Sequence, residues 1–179
     1  MNDGLYLPLL AALAFCQHLS QREARDVSGL LLNAVVTSLA CLVSLLLGSM
    51  MLTLVAVPHS MLLTLLVHTG CPLLLFALLQ RYAAPQINWL GLRWYWLLLD
   101  TLLLALPLFW PDKADHALRL SLHILLAPLL LGLLLAQFAT LTQRLARCNL
   151  PARLHGQPAL LACALLLALA LHSLGVHLS

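Results

Sequence analysis

Long stretches of this chain carry no Asp, Glu, Lys or Arg, and because a charge at bilayer depth is costly, such stretches mark candidate membrane segments. Six segments can be read off, Leu5–Cys16, Gly29–Val57, His59–Gln80, Trp89 to Trp110, Leu120–Gln143 and Leu154–Leu178, all free of such charges but the fourth, which holds Arg93 and Asp100. The first has twelve residues, about 18 Å of helix against roughly 30 Å of hydrocarbon, so it cannot cross alone as a helix. The second and third are separated only by Pro58 and predict a tight helical hairpin. The fourth is interrupted by Asp100, and the last two are unbroken. Loops are expected at 17–28, 81–88, 111–119 and 144–153. The pattern predicts an all-α integral membrane protein, a single polytopic domain over residues 1–179. Its six transmembrane helices would form two inverted three-helix repeats, with helices 1 and 4 short or broken. In such repeats, helix ends at mid-membrane present backbone groups that bind ions or redox groups.

Composition sharpens this reading. The 179 residues are 63% hydrophobic and only 8% charged, with a mean hydropathy of +0.99, whereas a soluble domain carries about a quarter charged residues. A soluble globular fold is excluded. The formal charge of +3 is too small and too dispersed for a nucleic-acid footprint. The partner that composition implies is the lipid bilayer. Lys and Arg are distributed unevenly: one side holds Arg22, Arg25, Arg81, Arg144, Arg147 and Arg153, with Arg93 close by, and the other holds only Lys113 and Arg119. The positive-inside rule makes the Arg-rich side cytoplasmic. Both termini then face outward, periplasmic for a bacterial inner membrane. Residues 1–4 carry Asp3 and no Lys or Arg, and bulky Phe15 precedes Cys16, so the first segment is expected to remain in the mature protein.

Few side chains promise chemistry. Asp100 is the only acidic residue within an apolar span, and an intramembrane carboxylate needs a partner or a change of protonation. It could bind or relay a cation, sit near a water-filled break, or pair with Arg93 seven residues earlier. His68, His123 and His172 lie mid-span without metal-ligand spacing, and are read as structural histidines hydrogen-bonded between helices, with proton relay as the other reading. The five cysteines are an odd number without loop spacing, so no disulfide framework is expected. Cys16, beside the basic turn Arg22/Arg25, is either a ligand or an inert apolar thiol. Cys71, next to Pro72, reads as a buried thiol in a kinked third helix, with a rescue ligand as the other reading, Cys41 and Cys163 as packing residues, and Cys148 as a loop thiol. Trp89, Trp94, Tyr95, Trp96 and Trp110 flank the fourth segment as interfacial aromatics do. No nucleotide loop, flavin-attachment motif or hydrolytic triad stands in the sequence, so the chain is read as non-catalytic on its own.

The C-terminal third is more specific. Thr142-Gln-Arg144-Leu-Ala-Arg147-Cys-Asn-Leu150-Pro151, then Gly156-Gln-Pro158, an apolar run and Gly175, resembles the closing region of RnfA and RnfE, the six-helix membrane components of the Rnf (Rsx) ion-translocating oxidoreductase. These are related to NqrD and NqrE of the sodium-translocating NADH:quinone reductase. The match looks closest to RnfA and extends back to Leu90-Gly91; Cys16, Ser20, Arg22 and Gly29 resemble the family's first cysteine and following turn. The resemblance implies a membrane subunit of an Rnf-type electron-transport complex that couples electron transfer to Na⁺ or H⁺ movement and pairs with a sister six-helix subunit. In that family each sister gives two cysteines to a shared iron–sulfur cluster. Cys16 stands at the first ligand position, while the family's Asn-Cys falls on Asp100-Thr101, so the chain supplies one thiolate where the family supplies two. The alternative expectation is a stand-alone small inverted-repeat ion transporter or channel with Asp100 as its ion site.

Overall fold

The computed structural model describes residues 3–22, 27–55, 61–90, 92–109, 116–148 and 157–178. All of its regular structure among these residues is helical: α1 (Asp3–Arg22), α2 (Val27–Val55), α3 (Met61–Leu90), α4 (Trp94–Ala105), a 3₁₀ turn (Leu106–Phe109), α5 (His116–Arg147) and α6 (Gln157–Leu178). Three helices hold stretches long and apolar enough to cross a membrane, Ser28–Thr53, Met61–Gln86 and Ser121–Leu145. The apolar stretches of the other three, Tyr6–Ser20, Trp94–Leu108 and Pro158–Ser173, are shorter.

Several expected loops are helical. The first helix does not end at Cys16 but runs through Gln17 and His18 to Arg22. These polar side chains are buried, whereas Cys16 is exposed, so α1 is a continuous helix of 20 residues. The residues expected as a loop at 81–88 belong to α3, which continues to Leu90. Pro85 has no N–H for the Arg81 carbonyl, and the backbone bends at Ala83 (φ −135, ψ 32) to absorb the loss. The kink therefore lies at Ala83 and not at Pro72, and Cys71 is half-buried instead of enclosed. Asp100 does not interrupt α4, which is helical on both sides of it. Pro107 is what ends α4: without its N–H the Leu103 carbonyl is left open, and the Leu106 N–H takes it in a tighter bond. The helix is thus 12 residues long. Of the residues behind the orientation argument, Arg25, Lys113 and Arg153 lie outside the described residues, as does Trp110. The turn between α2 and α3 also lies outside them.

The chain divides into two compact units. The first comprises Met1–Ala34 and Leu133–Ser179. Here α1 packs against α6, with Leu10, Ala11, Ala14 and Leu160 buried. Phe138 of α5 is fully buried; its ring centroid is 5.6 Å from that of Phe15 and 6.2 Å from that of His18. The second unit is Val35–Gly132, in which α3 packs on α4. Its helices bury narrow stripes and turn leucines outward, for example Leu62, Leu66 and Leu74 of α3, as helices facing lipid do.

Candidate functional site

Register carries Asp100 into the interior of the second unit. The buried residues of α4 are Leu97, Asp100, Thr101, Leu104 and Ala105, the i, i+3, i+4, i+7, i+8 positions of one helical face. The carboxyl therefore shares the face that the leucines define. Its residue is 0% exposed, and neither carboxylate oxygen has a hydrogen-bond partner. An unpartnered carboxylate in apolar surroundings calls for a counter-charge, supplied by a proton or by a cation.

Arg93 does not supply that charge. It is the extended residue that opens α4 (φ −111, ψ 133), and it is exposed. Its Nη1 donates to the Tyr95 hydroxyl at 2.6 Å, and its guanidinium carbon lies 5.9 Å from the Tyr95 ring centroid. Neither Asp100 oxygen is bonded to Arg93.

The opposing wall comes from α2, whose buried Thr37, Cys41, Ser44 and Gly48 follow one another at spacings of four, three and four on a single face. Thr101 Oγ1 lies 3.9 Å from Cys41 Sγ. The Thr101 hydroxyl donates its hydrogen to the Leu97 carbonyl at 2.7 Å. Ser44 Oγ is buried without a hydrogen-bond partner. On α3 the buried stripe is Thr64, His68 and Pro72. The His68 Nδ1–H donates to the Thr64 carbonyl at 2.9 Å. The other edge of the ring faces α2, where a Cβ added at Gly48 would lie 3.1 Å from His68 Nε2.

The predicted site residues fall in both units. Thr101, next to Asp100, comes close to Cys41, a residue the sequence reads as packing. Cys16 is an exposed thiol on α1 in the other unit. Thr101 offers no thiolate, and its hydroxyl is already committed to the Leu97 carbonyl. Among the described residues no three His, Cys, Asp or Glu side chains converge on a metal-sized site. His123 behaves as an interhelical strut: its Nε2–H donates to the Leu104 carbonyl at 3.0 Å, satisfying a carbonyl near the end of α4. His172 is exposed on α6, and His68 bonds within its own helix.

Ser44, Gly48 and Thr64 were not singled out from the sequence, nor were Gln17 and His18. Counting charges treats neutral polar residues as apolar filler. Their helical spacing on α2 and α3 was the available signal. Compared with protein-family models, with curated proteins and with solved structures, the chain matches none, so the likeness to the Rnf membrane components stands on its motifs alone.

Proposed function

We propose that the protein is an integral membrane subunit that moves a cation, Na⁺ or H⁺, through its helices, with Asp100 taking up and releasing the ion. The observation that carries this reading is the fully buried carboxylate without a hydrogen-bond partner, since a purely structural acid at this depth is normally paired. The C-terminal motifs and the exposed Cys16 thiol support work inside an Rnf-type electron-transport complex of a bacterial inner membrane, with both termini periplasmic and Cys16 turned toward a sister subunit. A stand-alone transporter is the second reading. It is favoured by the fact that the residues gathered around Asp100 all belong to one unit of this chain.

The test is uptake of ²²Na⁺ and of protons by liposomes holding the purified full chain with whatever copurifies. One of the two fluxes is expected in the wild type and should vanish in Asp100→Asn. Equal fluxes in wild type and Asp100→Asn would sink the proposal. A second six-helix protein and iron in the preparation support the complex, while a monodisperse iron-free monomer that still moves the cation supports the transporter.

A further inference from the structure

We propose that the ion is a proton and that it passes between His68 and Asp100 by way of Ser44, along one face of α2. This rests on the reading of Asp100 as the ion carrier and assigns both the ion and its second station.

Cys41, Ser44 and Gly48 are the i, i+3 and i+7 positions of α2, all buried; they span about 10 Å along the helix axis. Asp100 lies at the Cys41 end, where its neighbour Thr101 comes within 3.9 Å of the sulfur. His68 lies at the Gly48 end, admitted by the missing side chain: a Cβ there would meet Nε2 at 3.1 Å and Cδ2 at 3.2 Å. Because Nδ1–H is given to the Thr64 carbonyl, the neutral ring keeps its lone pair on Nε2, the atom turned toward α2. Ser44 lies between Cys41 and Gly48 on the same face of α2, its hydroxyl buried without a hydrogen-bond partner. A hydroxyl both donates and accepts, which is what a relay station requires.

The chemistry around Asp100 favours a proton over a metal cation. Hard cations collect several oxygen ligands, whereas the groups identified beside this carboxyl are a soft thiol and a threonine whose hydrogen is already given to Leu97. A proton needs only a donor and an acceptor at each step. The positions 41, 44 and 48 are about 4.5 and 6 Å apart along the axis of α2, and a bridging water can carry a proton between polar groups that do not bond directly. In transfer toward His68 the Asp100 carboxyl O–H breaks, Ser44 Oγ gains that proton and releases its own, and a new N–H forms at His68 Nε2. The carboxylate and the imidazolium are the only charges created, and reversal restores both. Among the described residues the titratable groups on or beside these faces are Asp100, His68 and the Cys41 thiol; His123 is engaged with Leu104.

The experiment drives liposomes containing the full chain and its copurifying partners with a potassium diffusion potential, reading internal pH and ²²Na⁺ in parallel. Proton entry without Na⁺ uptake is expected in the wild type, falling to the empty-liposome level in Asp100→Asn, Ser44→Ala and His68→Gln, and persisting in Ser44→Thr, which keeps the hydroxyl. Na⁺ uptake that Asp100→Asn abolishes would overturn the proton and leave the carrier reading standing. Wild-type proton flux in Ser44→Ala or His68→Gln, with none in Asp100→Asn, would overturn the path alone. Equal loss in Ser44→Thr and Ser44→Ala would overturn the relay role in favour of packing. Movement of neither cation in the wild type would bring down the proposed function itself.

Discussion

In the unit formed by Met1–Ala34 and Leu133–Ser179, buried His18 places Nε2 2.7 Å from Thr142 Oγ1 and stacks on Phe138. The Thr142 hydroxyl passes its own hydrogen to the Phe138 carbonyl at 2.8 Å, so the imidazole is the donor of the pair. In Val35–Gly132, by contrast, Asp100 and Ser44 are as deeply buried and have no hydrogen-bond partner. The first unit has its own exception in Gln17 Oε1, but an amide oxygen costs far less to leave open than a carboxylate. A polar group bonded on both sides holds helices together. A carboxyl left open is a standing cost that packing alone does not require, and such costs collect where a protein acts.

Four measurements sharpen or break that contrast, and thermal unfolding in detergent reads each of them. Phe138→Ala removes the ring on which Phe15 and His18 rest, and should cost about 3–5 kcal/mol. Asp100-dependent cation flux should survive in whatever fraction stays folded. An unchanged melting temperature would mean that Phe138 is not the centre of its unit.

Asp100→Leu should move the other way. Replacing an unpartnered buried carboxyl by a side chain that suits its neighbours Leu97 and Leu104 should add about 1–3 kcal/mol of stability while ending transport. Destabilisation by this change would show that the carboxyl is paired, and would erase the difference between the units.

Gly48→Val should lose about 1–3 kcal/mol, because the new side chain would have to displace the His68 ring. Gly70→Ala is its control: a Cβ there meets nothing within 4 Å, and the gain in helix propensity is expected to be about 0.5–1 kcal/mol. Equal effects at the two glycines would mean that the contact between Gly48 and His68 does not hold. The smallest loss belongs to His18→Ala, which gives up the hydrogen bond to Thr142 and should cost about 0.5–1.5 kcal/mol. A loss as large as that of Phe138→Ala would make the His18–Thr142 bond, not the aromatic packing, the principal tie of the first unit.

The helical class and the apolar stretches were legible in the sequence, because a run without charge is a one-dimensional property. The helix ends were less so. Gln17 and His18 lengthen α1 past Cys16 because burial, not charge, decides whether a neutral polar residue stays helical inside a membrane protein. Pro85 bends α3 and Pro107 ends α4, yet one proline is carried within a helix and the other closes one. Proline removes an N–H in both cases, and what becomes of the freed carbonyl depends on the surrounding backbone.

Asp100 stood out in the sequence as the lone acid of an apolar span, and the structure puts it on the buried face of α4 with Leu97, Thr101 and Leu104. What sequence could not assign was its company. Arg93 shares the helix and the spacing, but it opens α4 in extended conformation and turns to Tyr95. Cys41 and Ser44 lie on a different helix, some sixty residues away, as the 60-residue separation of Thr101 and Cys41 records. A charge-free span and a helical period are determined by neighbours along the chain, so the sequence alone determined that this is a helical, membrane-compatible protein with one buried acid. Which side chains surround that acid, and which leave it unpaired, depends on packing between helices distant in sequence, and only the tertiary structure decided it.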